Sequence, residues 1–310
     1  MLRAGLLWLS ERQRVFRFVR SNRLAQRLAA RFVAGETIET AVRAVQELNA
    51  RGITATLDIL GESVTVARDA ELARDAYLTA IDQVAQVGAQ SHVSVKLTQL
   101  GIDVDEELCV ANMRAIIDRA RARGSFVRID MEGSAYTERT LQLYARRLHP
   151  EFGDCVGVVL QSYLRRTAGD LEMLIAERAR VRLCKGAYKE APEIAFPKKR
   201  DVDANYIGCM ERLLDRGTYP AIATHDERIL ARAKAFVRDR GIAAERFEFQ
   251  MLYGVRRDVQ QALRREGYRL RVYVPFGTQW YPYLMRRLAE RPANVAFLAG
   301  NLMKESLRRS

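Results

Sequence analysis

Short β-rich runs alternate with longer amphipathic helical runs along most of the chain. Eight runs are rich in Val, Ile, Leu or Phe, and they fall at residues 54–60, 92–97, 126–131, 156–160, 181–184, 221–224, 247–250 and 271–274. Apolar residues at helical spacing fill stretches between them, for example 65–87, 106–123, 204–216 and 227–240, each long enough for a crossover. Eight β-α units predict a closed (β/α)8 barrel of the TIM type, because open doubly wound sheets usually have fewer strands.

The first 36 residues stand apart from this rhythm. Apolar and basic residues alternate there at helical spacing, as at Val15, Phe16, Val19 and Leu24, which predicts one or two amphipathic helices. We therefore divide the chain into an N-terminal helical segment, 1–36, and a barrel domain, 37–310. Two roles are open for these helices: packing against the outside of the barrel, or lying as a basic surface on anionic lipid.

Composition narrows the function classes. The formal net charge is +13, but only seven of the 51 basic residues are lysines, and the arginines are spread along the helical stretches. This distribution disfavours nucleic-acid binding. No run reaches the roughly 18 apolar residues of a membrane span, and the apolar stretch near the start is too short for a signal peptide, so we expect a cytoplasmic protein. The four cysteines are scattered and only three histidines occur, so we expect no metal site.

Polar residues gather at the ends of the predicted strands, where a (β/α)8 barrel builds its active site. They are Lys96, Asp130, Gln161, Tyr163, Lys185, Tyr188, Thr224, His225, Gln250 and Tyr273. Every strand must meet a polar loop, so one such residue alone carries little weight. Lys96 and Lys185 carry more, because lysine is scarce here and a buried ammonium needs an anion or an electron-rich partner. No Gly-x-Gly-x-x-Gly fingerprint follows a strand, so a Rossmann dinucleotide site is not expected.

The last predicted helix, at 280–290, carries a polar face. Tyr283, Arg286, Arg287 and Glu290 recur at i, i+3, i+4 and i+7, which places a hydroxyl, two guanidiniums and a carboxylate side by side. This face is either a solvated stripe with an Arg286–Glu290 pair or a part of the barrel mouth. Because the helix follows the eighth strand directly, we favour the mouth, where paired arginines suit a substrate carboxylate.

Nine motifs together resemble the proline dehydrogenase family, over nearly the whole chain after about residue 30. They are RFVAGE (31–36), LGE (60–62), VKLTQLGI (95–102), IDME (129–132), LQSY (160–163), VRLCKGAY (181–188), ATH (223–225), FEFQML (247–252) and YLMRRLAE (283–290). Each motif is weak alone, but their order and their positions on strands and helices agree with the family. The resemblance implies a distorted (β/α)8 barrel that holds FAD at the carboxyl ends of the strands.

The resemblance also implies roles in substrate binding. Lys96 would contact both the carboxylate of L-proline and the flavin, Arg286 and Arg287 would clamp the carboxylate, and Asp130 would orient Lys96 and neighbouring groups. In the family a glutamate after the first strand forms a gate with one clamp arginine, which makes Glu62 and Arg286 the candidates here. The residues expected to line the ring of the substrate are Tyr273, Tyr283, Leu252, Leu183 and Tyr188.

For the cofactor, the resemblance implies contacts from Asp130, Gln161, Arg182, Lys185, Gly186, Ala187, Thr224, His225 and Glu290. Lys185 and Arg182 would offset the charge of the pyrophosphate. The implied reaction moves a hydride from the ring carbon next to nitrogen to flavin N5 and leaves pyrroline-5-carboxylate, the first step from proline to glutamate. The transfer needs a neutral amine, so activity is expected to rise with pH.

The partners follow from the same resemblance. The expected electron acceptor is a membrane quinone, which would give the basic N-terminal helices a role as a peripheral membrane contact. The chain ends soon after Asn294 without a second catalytic domain, so a separate pyrroline-5-carboxylate dehydrogenase is expected to oxidise the product.

Two features depart from the family pattern or extend it. Lys189 follows Tyr188 where some relatives carry tryptophan, which changes how the edge of the flavin is covered. The segment 190–202 contains two prolines and the basic run at 198–200, and it predicts a mobile loop that serves as a lid or is merely solvated.

Two other functions fit parts of the sequence. Lys96 or Lys185 would suit a cofactor-free lyase or aldolase that forms a Schiff base, although this leaves the paired arginines and the ordered motifs unexplained. The basic charge would suit a non-enzymatic protein that binds RNA or anionic membranes. Colour separates the first alternative, since a flavoprotein is yellow, and salt-sensitive binding without turnover would support the second.

Overall fold

A computed structural model describes residues 23–290 of the chain. Eight parallel strands close into one barrel in the order of the sequence. They are β1 (Thr54–Ile59), β2 (Ser91–Val95), β3 (Val127–Ile129), β4 (Val156–Gln161), β5 (Arg180–Cys184), β6 (Ala221–Ala223), β7 (Glu248–Leu252) and β8 (Leu270–Phe276). Each β-rich run of the sequence forms a strand, and the TIM-type barrel is confirmed. The predicted helical pattern at Val15, Phe16 and Val19 lies outside the described residues.

Helices connect the strands and cover the outside of the barrel. They are α1 (Arg23–Phe32), α2 (Ile38–Asn49), α3 (Ala67–Gln86), α4 (Glu106–Ala122), α5 (Ser134–Leu143), α6 (His149–Phe152), α7 (Thr167–Ala176), α8 (Lys199–Arg216), α9 (Glu227–Asp239), α10 (Arg257–Arg265) and α11 (Trp280–Glu290). Thr37, Asp105 and Asp226 cap α2, α4 and α9 by accepting a hydrogen bond from a backbone N–H of the first turn. Between residues 23 and 290, no helix combines the length and hydropathy of a membrane span.

The apolar core lies between the strands and the helices. Leu57 and Val95 on the strands and Tyr77 and Ile116 on the helices have no exposed surface, and all four belong to one connected cluster. Burying one such aliphatic side chain contributes about 1.5–3 kcal/mol. The amphipathic spacing seen in the sequence therefore directs the apolar face of each helix onto the barrel.

The inside of the barrel is lined instead by polar side chains. They stand two residues apart on the strands or directly after them, as Thr56 and Asp58, Arg128 and Asp130, Glu248 and Gln250, and Arg271 and Tyr273. Side chains two apart on a strand face the same side. Hydrogen bonds across the barrel confirm the inward direction, since Arg182 on β5 reaches Ser94 on β2.

Helix α1 packs against α11 beside the junction of β8 and β1. Phe32 and Val33 share a buried apolar cluster with Trp280 and Leu284. The indole N–H of Trp280 donates to Oε1 of Glu36 at 2.8 Å. The described part of the segment 1–36 is thus built onto the barrel.

Candidate active site

The carboxyl ends of the strands bring most of the predicted site residues to one rim of the barrel. Lys96 follows β2, Asp130 follows β3, Gln161 ends β4, and Leu252 ends β7. Because all eight strands run parallel, these ends lie on the same side of the closed sheet. Residues far apart in the sequence therefore meet at the barrel mouth.

Lys96 is held by Asp58, a residue that the sequence analysis did not single out. Nζ of Lys96 lies 2.6 Å from Oδ1 of Asp58, and the two side chains are 11% and 2% exposed. Burial disfavours the ammonium charge, but the attraction of Asp58, followed by that of Tyr77 and Asp130, outweighs it and holds the pKa of Lys96 above its usual value. Lys96 is therefore a buried cation at the barrel mouth.

Asp130 binds Arg182 and Tyr273. Its Oδ1 accepts a hydrogen bond from Nη1 of Arg182 at 2.6 Å, and its Oδ2 accepts one from the hydroxyl of Tyr273 at 2.7 Å. Asp130 thus fixes a guanidinium and a phenol that neighbour Lys96, while Asp58 makes the ion pair with the ammonium itself. Burial and then the charge of Asp130 raise the pKa of Tyr273, so the phenol keeps its proton.

Arg182 crosses the barrel interior. Its Nε donates to Oε1 of Gln250 at 2.5 Å, and its Nη1 donates to Oγ of Ser94 at 3.2 Å. Its guanidinium carbon lies 5.4 Å from the centre of the Tyr273 ring. The counter-charge of Arg182 is thus Asp130, inside the barrel, whereas the sequence analysis expected it to offset a pyrophosphate.

Lys185 lies between two carboxylates after β5. Its Nζ is 2.6 Å from Oδ1 of Asp203 and 3.0 Å from Oδ2 of Asp226. An anionic ligand near Lys185 would compete with these carboxylates for the ammonium. No group of three His, Cys, Asp or Glu side chains within the described part of the chain is placed to hold a metal ion.

The end of β4 and the loop after β5 offer groups for a ligand. Nε2 of Gln161 donates to the carbonyl of Met131 at 3.1 Å, while its Oε1 is buried and has no hydrogen-bond partner among residues 23–290. Leaving a buried acceptor unsatisfied costs about 1–3 kcal/mol, so a donor from a bound ligand would stabilise this position. Gly186 has a φ of +97°, and a Cβ there would stand 2.2 Å from a ring carbon of Tyr163, so only glycine fits.

Thr224 and His225 shape the loop after β6. The hydroxyl of Thr224 accepts a hydrogen bond from the backbone N–H of Asp226 at 3.1 Å. Nε2 of His225 accepts one from the backbone N–H of Leu252 at 2.9 Å. These bonds fix the loop between β6 and β7 at the rim.

The sequence predicts a mobile loop at 190–202; residues 190–196 contact the rim, and residues 199–202 form the first turn of α8. The carboxylate of Glu190 accepts hydrogen bonds from the backbone N–H and the hydroxyl of Ser134, at 2.8 and 2.6 Å, at the start of α5. Ala195 forms an antiparallel bridge with Leu164. The backbone N–H of Phe196 donates to the carbonyl of Tyr163 at 2.8 Å. The segment therefore covers the end of β4, and Ala187 lies just before it in the same connection.

Helix α11 packs on the rim near the end of β7. Tyr283 is buried, and the guanidinium carbon of Arg287 lies 5.2 Å from the centre of its ring. The side chains of Arg286 and Glu290 on this helix lie outside the described residues, and with them the gate expected between Glu62 and Arg286. Glu62 itself is exposed on the loop after β1.

Three of the five residues expected around the substrate ring come together. Leu252 packs with the cluster that contains Tyr283, and its register partner on β8 is Tyr273. Tyr188 is 40% exposed in the loop after β5. Leu183 is buried in the main core and has no exposed surface toward the mouth.

Asp58 and Ser94 are the residues that the sequence analysis missed. The signal that finds them is the recurrence of polar residues at every second position within short β-rich runs, as in Thr56 and Asp58, or Ser94 and Lys96. Two polar residues at that spacing in a buried strand indicate an inward-facing polar surface.

The chain is similar over most of its length to known proteins of one family. A family model described as "Proline dehydrogenase" matches residues 41–300. The chain is 43% identical over 306 residues to "Proline dehydrogenase 1" of Bacillus subtilis, covering 98% of this chain and 100% of that one. It is 44% identical over 309 residues to "Proline dehydrogenase" of Deinococcus radiodurans, covering 98% of each.

A solved structure shares the fold. It is proline utilization A (PutA) from Bdellovibrio bacteriovorus inactivated by N-propargylglycine, with a TM-score of 0.81 and 29% identity over 89% of this chain. The match covers 34% of that longer chain, so our protein spans about a third of it. From its sequence, its barrel and its relatives, the chain belongs to the proline dehydrogenase family.

Proposed function

We propose that the protein is an FAD-dependent proline dehydrogenase that oxidises L-proline to pyrroline-5-carboxylate and passes the electrons to a quinone. The observation that carries the proposal is the layer of buried charges at the barrel mouth, where Lys96 pairs with Asp58 and Arg182 pairs with Asp130 beside Tyr273. Such a layer supplies a cation for a substrate carboxylate and a rigid aromatic wall for its ring.

The carboxylate of the substrate is assigned to Lys96, Arg286 and Arg287. Lys96 offers a desolvated ammonium, and charge-assisted hydrogen bonds to a carboxylate are strongest where water is excluded. Arg287 and Arg286 are neighbours on α11, which packs on the same rim. A guanidinium can grip both oxygens of a carboxylate, so these arginines would orient the substrate as well as attract it.

The ring of the substrate is assigned to the apolar faces of Tyr273, Tyr283, Leu252 and Tyr188. The phenol of Tyr273 is held by Asp130 at 2.7 Å, so its ring has a fixed position against which a ring of methylenes can pack. Leu183, which is buried in the core, is the fifth residue that we assign to this pocket.

The residues at the rim fit a flavin. The unsatisfied Oε1 of Gln161 can accept from a ligand, and the glycine at position 186 allows a close approach of the backbone. Thr224, His225, Ala187, Lys185 and Glu290 complete the cofactor contacts that we propose, with Arg182 and Asp130 facing it from inside the barrel. When bound, the flavin supplies the acceptor for two electrons and the hydrogen on the substrate carbon.

A gate is proposed between Glu62 and Arg286. Glu62 lies on the loop after β1 and Arg286 lies on α11, which shares an apolar cluster with Leu60 at the end of β1. Pairing of the two side chains would close the mouth over the substrate and exclude water.

Two partners complete the proposal. A quinone in the membrane accepts the electrons, and the basic N-terminal segment provides a peripheral contact with anionic lipid at the inner face of the cell membrane. A separate pyrroline-5-carboxylate dehydrogenase oxidises the product.

Turnover with a soluble quinone tests the proposal. The purified protein should release FAD on denaturation, identified by its mass, and should reduce the quinone only when L-proline is present. The rate should rise with pH, because the amine of the substrate must be neutral. A colourless protein that is inactive with L-proline but is trapped by borohydride on Lys96 or Lys185 would support the Schiff-base enzyme instead.

A further inference from the structure

Asp58 contacts Lys96, the residue proposed to bind the substrate carboxylate, although the two are 38 positions apart in the sequence. It lies on β1 with its side chain inside the barrel, and it is almost fully buried. Its register partner on β2 is Ser94, and Lys96 follows two positions later on the same inward face. The register of β1 and β2 thus delivers the carboxylate to the ammonium, at 2.6 Å.

Asp130 is not available for the same task. Its two oxygens accept from Arg182 and from Tyr273, at 2.6 and 2.7 Å. Asp58 and Asp130 therefore pair with different cations, and the counter-charge in contact with Lys96 is Asp58.

We propose that Asp58 is a positioning residue for the oxidation of L-proline: its carboxylate holds the ammonium of Lys96 in place and in its charged form, ready to meet the carboxylate of the substrate. The inference rests on the proposed function. Asp58 acts through Lys96 and does not itself contact the substrate.

The physical reason is the cost of a buried charge. Removing one partner of a buried ion pair leaves the other uncompensated, and the group left behind lowers its cost by becoming neutral. Without the carboxylate at position 58, Lys96 would give up its proton at a lower pH. The substrate carboxylate would then meet a neutral amine, which neither attracts nor orients it as strongly.

Several titratable or charged groups surround Lys96 and must be considered in any pH profile. They are Asp58 on β1, Tyr77 on α3, Asp130 and Glu132 after β3, and, through their bonds to Asp130, Arg182 on β5 and Tyr273 on β8. Among these, Asp58 makes the direct ion pair and is the strongest source of attraction for the ammonium.

The first test is the pH dependence of kcat/KM for L-proline in the FAD-bound enzyme, from about pH 6 to about pH 10. In wild type, kcat/KM should rise with pH and stay high. In Asp58→Asn it should be lower by at least about tenfold at pH 8 and should turn down again at high pH, mainly through KM, as Lys96 loses its proton. Asp58→Glu should restore most of the wild-type profile, because it restores the charge.

Two further variants separate positioning from general damage. Asp170→Asn removes a largely buried carboxylate that pairs with Arg166 on the outside of the barrel, and it should keep the wild-type profile. Asp58→Asn combined with Lys96→Met should be no less active than Lys96→Met alone, since Asp58 acts through Lys96. The inference is overturned if the pH profile of Asp58→Asn has the same shape as that of wild type. It is also overturned if the double variant loses kcat/KM by the product of the two single losses.

Melting temperatures measured without substrate test the pairing of Asp58 and Lys96 independently of the proposed function. Asp58→Asn should lower the melting temperature, and adding Lys96→Met should restore most of it, because the uncompensated ammonium is gone. If L-proline does not reduce the wild-type enzyme, the proposed function fails, and this comparison still decides the pairing. If the double variant is no more stable than Asp58→Asn, the ammonium is not the group that Asp58 compensates.

Discussion

Charged networks occupy both ends of the barrel interior, and they are built differently. At the N-terminal end, Glu248 accepts two hydrogen bonds from Nε of Arg271, at 2.9 and 3.1 Å, and both side chains are less than 10% exposed. The cations there also bind backbone: Arg271 donates to the carbonyl of Ala55 at 2.7 Å, and Arg128 donates to that of Val158 at 3.1 Å. This end ties strands to one another.

At the C-terminal end Lys96 and Arg182 bind other side chains and not strand carbonyls. Lys96 pairs with Asp58, and Arg182 pairs with Asp130, which also holds Tyr273. Carboxylates and ammonium ions can exchange partners when a ligand arrives, whereas a side-chain bond to a strand carbonyl fastens the guanidinium to the barrel wall. We therefore expect the same residue types to serve stability at one end and ligand binding at the other, as is usual for the two ends of this fold.

Gln250 joins the two ends. Its Oε1 accepts from Arg182 and its Nε2 donates to Oε1 of Glu248, each at 2.5 Å. The amide of Gln250 thus lies between the C-terminal network and the N-terminal network. Variants on either side of it can show whether the two networks act separately.

The largest expected effect is on stability at the N-terminal end. Glu248→Ala leaves the guanidinium of Arg271 buried without its counter-charge, which should lower the free energy of unfolding by about 3–5 kcal/mol. Denaturant unfolding measures this loss. The folded fraction should keep kcat within about threefold of wild type, because the site lies at the other end. The milder Glu248→Gln provides a second variant if Glu248→Ala does not fold. A loss of kcat well beyond about threefold in either variant would show that the two ends of the barrel do not act separately.

The next effect is on catalysis at the C-terminal end. Lys96→Met removes the cation proposed to bind the substrate carboxylate, which should lower kcat/KM for L-proline by about 100- to 1000-fold. Steady-state kinetics at saturating quinone measures it. The melting temperature should fall less than in Glu248→Ala, since Asp58 can take up a proton once its partner is gone. If Lys96→Met keeps the wild-type kcat/KM, Lys96 does not bind the substrate carboxylate.

Removal of FAD should sharpen the contrast between the ends. A ligand that binds only the folded state at 100 times its Kd stabilises that state by about 2.7 kcal/mol, so the apoprotein should melt at a lower temperature. Hydrogen exchange should speed up in the loop after β5 and leave β7 and β8 near Glu248 and Arg271 protected. An unchanged melting temperature after flavin is stripped would contradict the proposed cofactor contacts.

The smallest expected effect is a pH dependence of the free energy of unfolding, which comes from His92 near the N-terminal end of the barrel. Burial, and then the positive charges of Arg271, Arg180 and Arg128, lower the pKa of His92 well below its usual value. The folded protein keeps this ring neutral, while the unfolded chain takes up a proton below about pH 6.5. The contribution of His92 to the free energy of unfolding is therefore fully present above that pH. It is lost, by at most about 1.4 kcal/mol per pH unit, as the pH falls toward the folded-state pKa of His92.

Unfolding at pH 7.5 and at pH 5.5 checks this dependence. His92→Phe, next to the ring of Phe126 at 5.0 Å, should weaken it while keeping the aromatic contact. Equal slopes in wild type and variant would show that His92 does not titrate as described.

The fold was predictable because each strand is a short local run of Val, Ile, Leu and Phe, and local patterns survive in the sequence. The hydrogen-bond and ion-pair partners of the site residues could not be predicted, because they depend on how the barrel closes. Asp58 reaches Lys96 across a register of two strands, and Glu190 reaches Ser134 across 56 positions in the chain. The alternation of Thr56 and Asp58 did indicate an inward polar face, but no pattern in a single sequence states which cation each carboxylate meets.

We expect L-proline to reduce a flavin held at this barrel mouth, and an anaerobic visible spectrum measures that reduction. The purified protein should show the bands of oxidised flavin, and L-proline should bleach them. Flavin bands that L-proline leaves unchanged would preserve the fold and contradict the substrate. A spectrum without flavin, even after FAD is added, would contradict the account as a whole and favour a Schiff-base enzyme on Lys96 or Lys185.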